Sequence, residues 1–307
     1  MLDLAIIIVS WNVRDYLADC LRSVYADLHR SRLLGEVWVV DNASTDGTRE
    51  LLRNLFAHTH LIANDDNPGF AAANNQAMRL ILAQHDDGPR HLLFLNPDTV
   101  VRPEALRHLV DHLDEQPDVG VGGARLIYGD GRFQHSAFHF PGLRQLIFDL
   151  FPLPHRFYET RLNGRYPRRL YHPEGQPFAI DHPLGAAMMV RRSVAEATQG
   201  FDESYHMYCE EIDWCWRIRK AGWGISAVPQ AEIVHYGGQS TKQIPAQSVI
   251  NLWRSRAQLY RAHHRRLKWL TARKLVILGM RYQARRTRDA SLRRAYQEVA
   301  QLWRGQR

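Results

Sequence analysis

Three observations predict an α/β fold with a Rossmann-like, mostly parallel central sheet flanked by helices and a basic helical C-terminal extension. Short apolar, often β-branched runs alternate with helical patterns along the first 125 residues, the order expected of βαβ units. The clearest runs end in polar clusters at 10–12, 41–48 and 96–98. Beyond residue 248 the chain changes character: 16 Lys or Arg stand against two acidic residues in 249–307. Of the chain's 40 basic and 32 acidic residues, that leaves 24 and 30 in the first 248. The expected organisation is therefore a mildly acidic domain over 1–248, in halves 1–125 and 126–248, and a basic helical region over 249–307.

Composition narrows the class. An apolar share of 45% and a charged share of 23% describe an ordinary globular protein of 307 residues. Three cysteines, Cys20, Cys209 and Cys215, match neither a zinc spacing nor a disulfide framework. They fit a reducing compartment. The start MLDLAIIIVSW is too weakly basic for a signal peptide, and no run of 18 apolar residues suggests a membrane span. The expected location is cytoplasmic.

Residues 4–9 (LAIIIV) read as the first strand and end in Ser10, Trp11 and Asn12. A helix over 16–28 has an apolar face of Leu17, Cys20, Leu21, Val24 and Leu28. VWVV (37–40) is the second strand, followed by Asp41 and a Gly-containing turn in which Thr45 or Asp46 caps the next helix. At a strand end, Asp41 suits a ribose hydroxyl or base N–H, or organises its own turn. Residues 61–62 suggest a short strand. Asn67 to Phe70 form a turn before a helix over 71–82.

LLFL (92–95) reads as a strand buried on both faces, interrupted by Pro97. That places Asp98 just beyond the edge where open α/β sheets bind ligands. The residue suits a divalent cation beside a phosphate, or a cap or turn before a helix over 103–113 with Pro103 in its first turn. VGVGGAR (119–125) reads as a strand and is not a GxGxxG dinucleotide fingerprint. Residues 128–180 show no clean period and read as loops with short helices, one near 143–150. Their His135, His139, His155 and His172 have no metal-ligand spacing.

A strand within 185–192 and a helix over 193–197 precede FDESYHMYCEEIDWCWRIRKAGW (201–223). Glu210, Glu211 and Asp213 open a helix that runs to Gly222. Acidic residues there suit the helix dipole, and a helix opening on a cleft also presents a general base. Tyr205, Tyr208, Trp214 and Trp216 offer apolar faces to a sugar. A strand over 225–228 leads to a flexible turn, HYGGQS (235–240), in which His235 either ligates a metal or diphosphate or packs against Tyr236. The tail interleaves Trp and Leu with Arg. This pattern fits a helix lying on anionic lipid, a packing helix with a solvated basic face, or an oligomer contact.

Seven motifs occur in the order found in one family: SWN (10–12), VVDNASTDGT (39–48), NPGFAAANN (67–75), LFLNPD (93–98), GAAMMVRR (185–192), FDESYHMYCEEIDWCWR (201–217) and HYGGQS (235–240). On these, the chain resembles family 2 glycosyltransferases of the GT-A fold, in particular the bacterial rhamnosyltransferase-like branch. The resemblance implies an inverting, metal-dependent transfer of a sugar from a dTDP-, UDP- or GDP-linked donor, best dTDP-rhamnose. The acceptor would be a glycan or polyprenyl-diphosphate-linked hydroxyl in cell-surface polysaccharide synthesis. By the same resemblance Ser10, Asn12, Asp41, Asn42, Asn67, Gly69, Asn75, Asn96 and Asp98 contact the donor. Asn96 replaces the first Asp of the family's DxD motif. Mg2+ or Mn2+ falls to Asp98 with His235, and the base to Glu211, with Glu210 and Asp213 as rivals. The tail resembles that of members working at the inner face of the membrane. A non-catalytic nucleic-acid- or membrane-binding protein on a degenerate GT-A fold is the alternative. Nucleic acid is disfavoured, because the carboxylate and histidine set has no use there.

Overall fold

The computed structural model describes residues 2–84 and 88–305; Gln306 and Arg307, the end of the basic tail, lie outside the described residues. The first half alternates β1 (Leu4–Ser10), α1 (Arg14–Ser31), β2 (Gly35–Asn42), α2 (Thr48–Leu55), β3 (His60–Asn64), α3 (Phe70–Leu82) and β4 (His91–Leu95). Then come β5 (Thr99–Val101), α4 (Ala105–Glu115), β6 (Val119–Ile127), β7 (Phe133–Gln134), β8 (Ala137–Phe138) and α5 (Leu143–Leu150). The second half adds β9 (Phe178–Ala179), β10 (His182–Pro183), β11 (Ala187–Arg191), α6 (Arg192–Thr198), α7 (Glu210–Lys220) and β12 (Gly224–His235). Three helices follow: α8 (Pro245–His263), α9 (Arg266–Arg286) and α10 (Ala290–Gly305).

The main sheet runs β3-β2-β1-β4-β11-β6-β12-β5. Strands β3, β2, β1 and β4 are mutually parallel, whereas β11 lies antiparallel between β4 and β6. The sheet is thus parallel in its first half and mixed in its second. Period-2 alternation divides the core. Leu4, Ile6 and Ile8 face one layer with Leu93, Leu95 and helices α1 and α4; Ala5, Ile7 and Val9 face the other with Phe94 and helices α3, α6 and α7. Both faces of β1 and β4 are buried, which is why their sequences are unbroken apolar runs.

Capping crosses between elements. The Asp46 carboxylate accepts from the Arg14 N–H at 2.8 Å and from the Thr48 N–H and hydroxyl at 3.2 and 2.6 Å, so one loop residue serves the starts of both α1 and α2. The α4 start is corrected: Pro103 lies before the helix, and the buried Asp27 of α1 accepts from the Glu104 and Leu106 N–H groups at 2.6 and 3.0 Å. Neither Asp98 nor Pro103 serves as its cap.

Two further expectations are revised. Strand β12 extends to His235, so this histidine ends a strand paired with β5 and β6 instead of sitting in a turn. Trp214 and Tyr205 are core residues: Trp214 packs edge-on against Phe94 and Phe201 with ring centroids 5.3 and 4.6 Å away. Trp216 stacks on Phe140 and His263, and of the four aromatics only Tyr208 lines the cavity described below.

The tail's aromatic residues turn inward. Trp253, Trp269 and Trp303 form a separate core with Leu146 and Leu150 of α5. The Trp303 indole donates to the Trp253 carbonyl at 2.9 Å, and Arg256 pairs with Asp149 at 2.8 Å. The exposed residues of α9 are instead Leu267, Leu270 and Leu278 among Arg266, Lys274, Arg281 and Arg285.

Candidate active site

The C-terminal ends of β1, β2, β4 and β12 converge on one edge of the sheet. A cavity of about 260 Å³ opens there. Asn42, Asn67, Asn96, Asp98, His235, Glu210 and Glu211 line it, with Trp11, Tyr208, Met207, Leu184, Gly185 and Gln239. Seven of the sequence-predicted residues thus meet in one place.

The turn after β4 is fixed from several sides. The Asn96 N–H donates to the Ala186 carbonyl at 2.9 Å, the Thr99 hydroxyl to the Asn96 carbonyl at 2.8 Å, and the Tyr236 N–H to the Asp98 carbonyl at 3.0 Å. Asp98 is 4% exposed. One carboxylate oxygen lies 3.5 Å from His235 Nε2, and the other accepts from the Gln239 N–H at 3.3 Å. Burial works to raise the Asp98 pKa, but His235 and the Gln239 N–H outweigh it and hold the carboxyl below its ordinary value.

The tautomer of His235 follows from its other nitrogen. Nδ1 lies 3.2 Å from Gln134 Oε1, an oxygen that only accepts, so Nδ1 carries the proton. Nε2 faces Asp98 Oδ1 at 3.5 Å and the Asn96 amide at 3.4 Å: with a proton there it holds the Asp98 carboxyl down, and without one it offers a lone pair to a cation. A carboxylate and an imidazole lone pair facing each other are a donor set suited to a hard or borderline divalent cation. Among the described residues no group of three or more His, Cys, Asp or Glu is placed to hold a metal ion. A cation at Asp98 and His235 therefore takes its remaining ligands from water or a bound substrate.

The opposite wall carries Glu210 and Glu211 at the first turn of α7. The two preceding residues, Tyr208 and Cys209, have φ of 70° and 68°. Consecutive non-glycine residues in the left-handed region are costly and concentrate at functional sites. Here they swing the helix start toward the cavity. Glu210 is 6% exposed, and its Oε2 is buried without a hydrogen-bond partner. Glu211 is more open and sits beneath Gly185, where a Cβ would stand 3.3 Å from its side chain. Burial raises both carboxyls, Glu210 well above the ordinary range with Glu211's charge adding to it, and Glu211 to about 7.

The remaining predicted residues lie outside the cavity lining. Asp213 is turned away: it accepts from Arg217 Nε at 2.8 Å and pairs with His263 of α8 at 2.6 Å. His263 stacks on Trp216 at 4.5 Å, so this cluster fastens α7 to the C-terminal helices. Asn75 ties α3 to the Phe201 backbone through bonds of 2.8 and 3.1 Å. Gly69, at φ +96°, packs against His206, whose carbonyl oxygen would lie 2.2 Å from any Cβ. Asn12 accepts from the Thr45 N–H at 2.8 Å. Asp41 is fully buried under Arg49 at 2.7 Å, with Oδ1 unpartnered, and Ser10, its register neighbour, has an unpartnered hydroxyl. Neither residue is in the cavity lining, although their neighbours Val9, Trp11 and Asn42 are. Gln134, Met207 and Leu184 were not singled out by the sequence. Gln134 belongs to the aperiodic stretch, Leu184 lies just before the 185–192 motif, and Met207 lies inside the 201–217 motif, where the carboxylates and aromatics stand out instead.

A doubly covered α/β sheet with paired carboxylates across its ligand-binding edge defines a GT-A-like glycosyltransferase fold. The chain belongs to glycosyl transferase family 2, whose family model matches residues 5–196. It is related to bacterial rhamnosyltransferases. N-acetylglucosaminyl-diphospho-decaprenol L-rhamnosyltransferase of Mycobacterium tuberculosis is 28% identical over 68% of this chain and 69% of its own. Rhamnosyltransferase WbbL of Escherichia coli is 27% identical over 75% of this chain and 82% of its own. Among solved structures, the mannosyltransferase PcManGT of Pyrobaculum calidifontis, in complex with GDP-Man and Mn2+, superposes with a TM-score of 0.56 at 16% identity, covering 98% of this chain and 88% of that one. The protein is a glycosyltransferase that moves a sugar from a nucleotide-sugar to an acceptor.

Proposed function

We propose that the chain transfers rhamnose, from dTDP-rhamnose, with inversion to a hydroxyl of a polyprenyl-diphosphate-linked or glycan acceptor in cell-surface polysaccharide synthesis. The observation that carries this reading is the single cavity with Asp98 and His235 on one wall and Glu210 and Glu211 on the other. Displacement at an anomeric carbon needs those two functions apart: stabilisation of a departing diphosphate and removal of a proton from the nucleophile. The names of the Mycobacterium and E. coli relatives support rhamnose.

Asn42, Asn67 and Asn96 orient the donor through their amides, and Trp11 and Tyr208 give it apolar walls. Asp98 and His235 are the residues that would hold Mg2+ or Mn2+ beside the diphosphate. When bound, the ion neutralises charge on the leaving group. Glu211 takes the proton of the acceptor hydroxyl. That oxygen bonds to the anomeric carbon on the face opposite the diphosphate, whose C–O bond breaks. The proton stays on Glu211, and no covalent enzyme intermediate forms. Glu210 stays protonated beneath it, which lets Glu211 carry the negative charge.

The test is release of nucleoside diphosphate from dTDP-, UDP- and GDP-sugars, with and without a lipid-linked acceptor, in Mg2+, Mn2+ or EDTA. The expected result is metal-dependent release with dTDP-rhamnose that rises with acceptor; no turnover with any donor sinks the proposal.

The basic tail supports attachment to an anionic membrane surface. No helix among the described residues is long and apolar enough to cross a membrane. Leu267, 78% exposed, and Leu278 lie among cations on the open face of α9, a pattern suited to anionic lipid. Full-length protein is expected to sediment with anionic liposomes at low salt and to be released at high salt; no difference from neutral liposomes removes this part of the reading.

A further inference from the structure

A second concave region lies one strand away from the active-site cavity. Successive side chains at β7 and just beyond it alternate: Gln134 reaches His235, while its neighbours Phe133 and His135 point to the other side. There, two adjoining cavities of about 380 and 160 Å³ share Phe133 and Arg168. Their walls carry five arginines, Arg125, Arg132, Arg165, Arg168 and Arg169, against one carboxylate, Glu159.

The local ion pairs do not balance this charge. Glu159 is shared between Arg165 Nη1 at 3.1 Å and His135 Nε2 at 2.6 Å. Asp130 pairs with Arg132 and Glu232 with Arg125, both from the rims. Three carboxylates therefore serve five guanidiniums. The Arg168 guanidinium is held over the Phe133 ring, 5.1 Å from its centroid. This fixes a planar fork where the two cavities meet. His135, 6% exposed, donates from Nε2 to the Glu159 carboxylate and so takes up part of the one acidic group in the lining. The Arg125 Nε, a donor, is buried without a hydrogen-bond partner and is the orphaned group an anion would satisfy. Burial and the charge of Arg168 both lower the Arg125 pKa, so the two cations crowd each other although Glu232 pairs with Arg125.

We propose that this region is a second ligand site, separate from the donor cavity, that binds a phosphate- or carboxylate-bearing group through Arg168, Arg169 and Arg165. Arginine forks recognise such planar or tetrahedral anions by paired charge-assisted hydrogen bonds. Its size suits a phosphate or diphosphate headgroup or one acidic sugar residue. The site is read from its own charge and orphaned donor, and it stands whether or not the proposed transfer reaction holds.

The test is calorimetric titration of the full chain with inorganic pyrophosphate in metal-free buffer, for the wild type, Arg168→Gln/Arg169→Gln, Arg132→Gln and Asp98→Asn. Arg132, Arg168 and Arg169 are exposed, so these variants remain folded, as circular dichroism will check. The expected result is a saturable, salt-sensitive component that weakens about tenfold or more in Arg168→Gln/Arg169→Gln, less in Arg132→Gln, and not in Asp98→Asn. Parallel titrations with a short-chain prenyl diphosphate and with glucuronate assign the source. Tighter binding of the prenyl compound points to a lipid-linked diphosphate, equal binding to free phosphate, and preference for glucuronate to an acidic glycan; each supports the anion site. No saturable binding of any probe, or an isotherm unchanged in Arg168→Gln/Arg169→Gln, overturns it.

Discussion

Glu211→Gln is expected to lower kcat by roughly 100- to 10,000-fold, the range over which general bases contribute, while the donor's Kd changes little. The amide keeps the shape of the side chain beneath Gly185 and removes only its capacity to take a proton. Wild-type kcat/KM should rise with pH through about 7, because burial lifts the Glu211 carboxyl there and only its ionised form serves as base. The same displacement has a consequence for stability. A carboxyl whose folded pKa lies above its unfolded value binds its proton more tightly when folded, so stability falls as pH rises from the unfolded value through the folded one. Glu211→Gln should accordingly raise Tm at pH 8, with the gain vanishing near pH 4. The stability gain reports the burial of the carboxyl, and only its combination with the loss of kcat at unchanged donor Kd marks a catalytic group. Glu210→Gln should retain much more activity, since that carboxyl is already protonated. If Glu210→Gln is the dead variant and Glu211→Gln turns over normally, the two roles are exchanged.

The sequence exposed the fold through its buried strands. LAIIIV and LLFL are apolar on both faces because helices cover both sides of the sheet, and such runs leave little room for another reading. The site was legible where function sits at strand ends, as with Asn96 and Asp98. It was less legible where one residue type serves two purposes. Asp41, Asp98 and Asp213 look alike in sequence. The structure separates them by their partners: Arg49 covers Asp41, His235 faces Asp98, and His263 with Arg217 engages Asp213. His235 was read into a turn because Gly237 and Gly238 follow so closely, yet pairing with Thr99 and Ile127's neighbourhood carries β12 to its last residue. The tail shows the limit of composition. Alternating Trp, Leu and Arg suits a lipid surface or a small core equally, and only the inward rotation of Trp253, Trp269 and Trp303 decides that the tryptophans belong to the core.

Asp98→Asn is expected to abolish the effect of metal on nucleotide binding and to reduce kcat by roughly 100-fold or more, the scale of losing electrostatic stabilisation at a leaving group. The argument rests on how few protein ligands there are. Asn96 is an amide where a second carboxylate would strengthen the cation site, and Asp98 with His235 is a two-residue donor set. Such a site gains most of its affinity from the diphosphate, so metal and nucleotide should bind cooperatively, each tightening the other by the same factor. Calorimetry of dTDP binding with and without Mn2+ measures that factor directly. In Asp98→Asn it should fall to near one while metal-free binding of dTDP is retained. His235→Ala should lower it part of the way, and Gln134→Leu should do so less, because the Gln134 carbonyl only fixes which nitrogen of His235 carries the proton. Asn96→Asp should move the factor in the opposite direction, since it returns a second carboxylate to the same turn. An Asp98→Asn enzyme that keeps full metal dependence would place the cation elsewhere and leave Asp98 as a residue that anchors the loop at Tyr236 and Gln239.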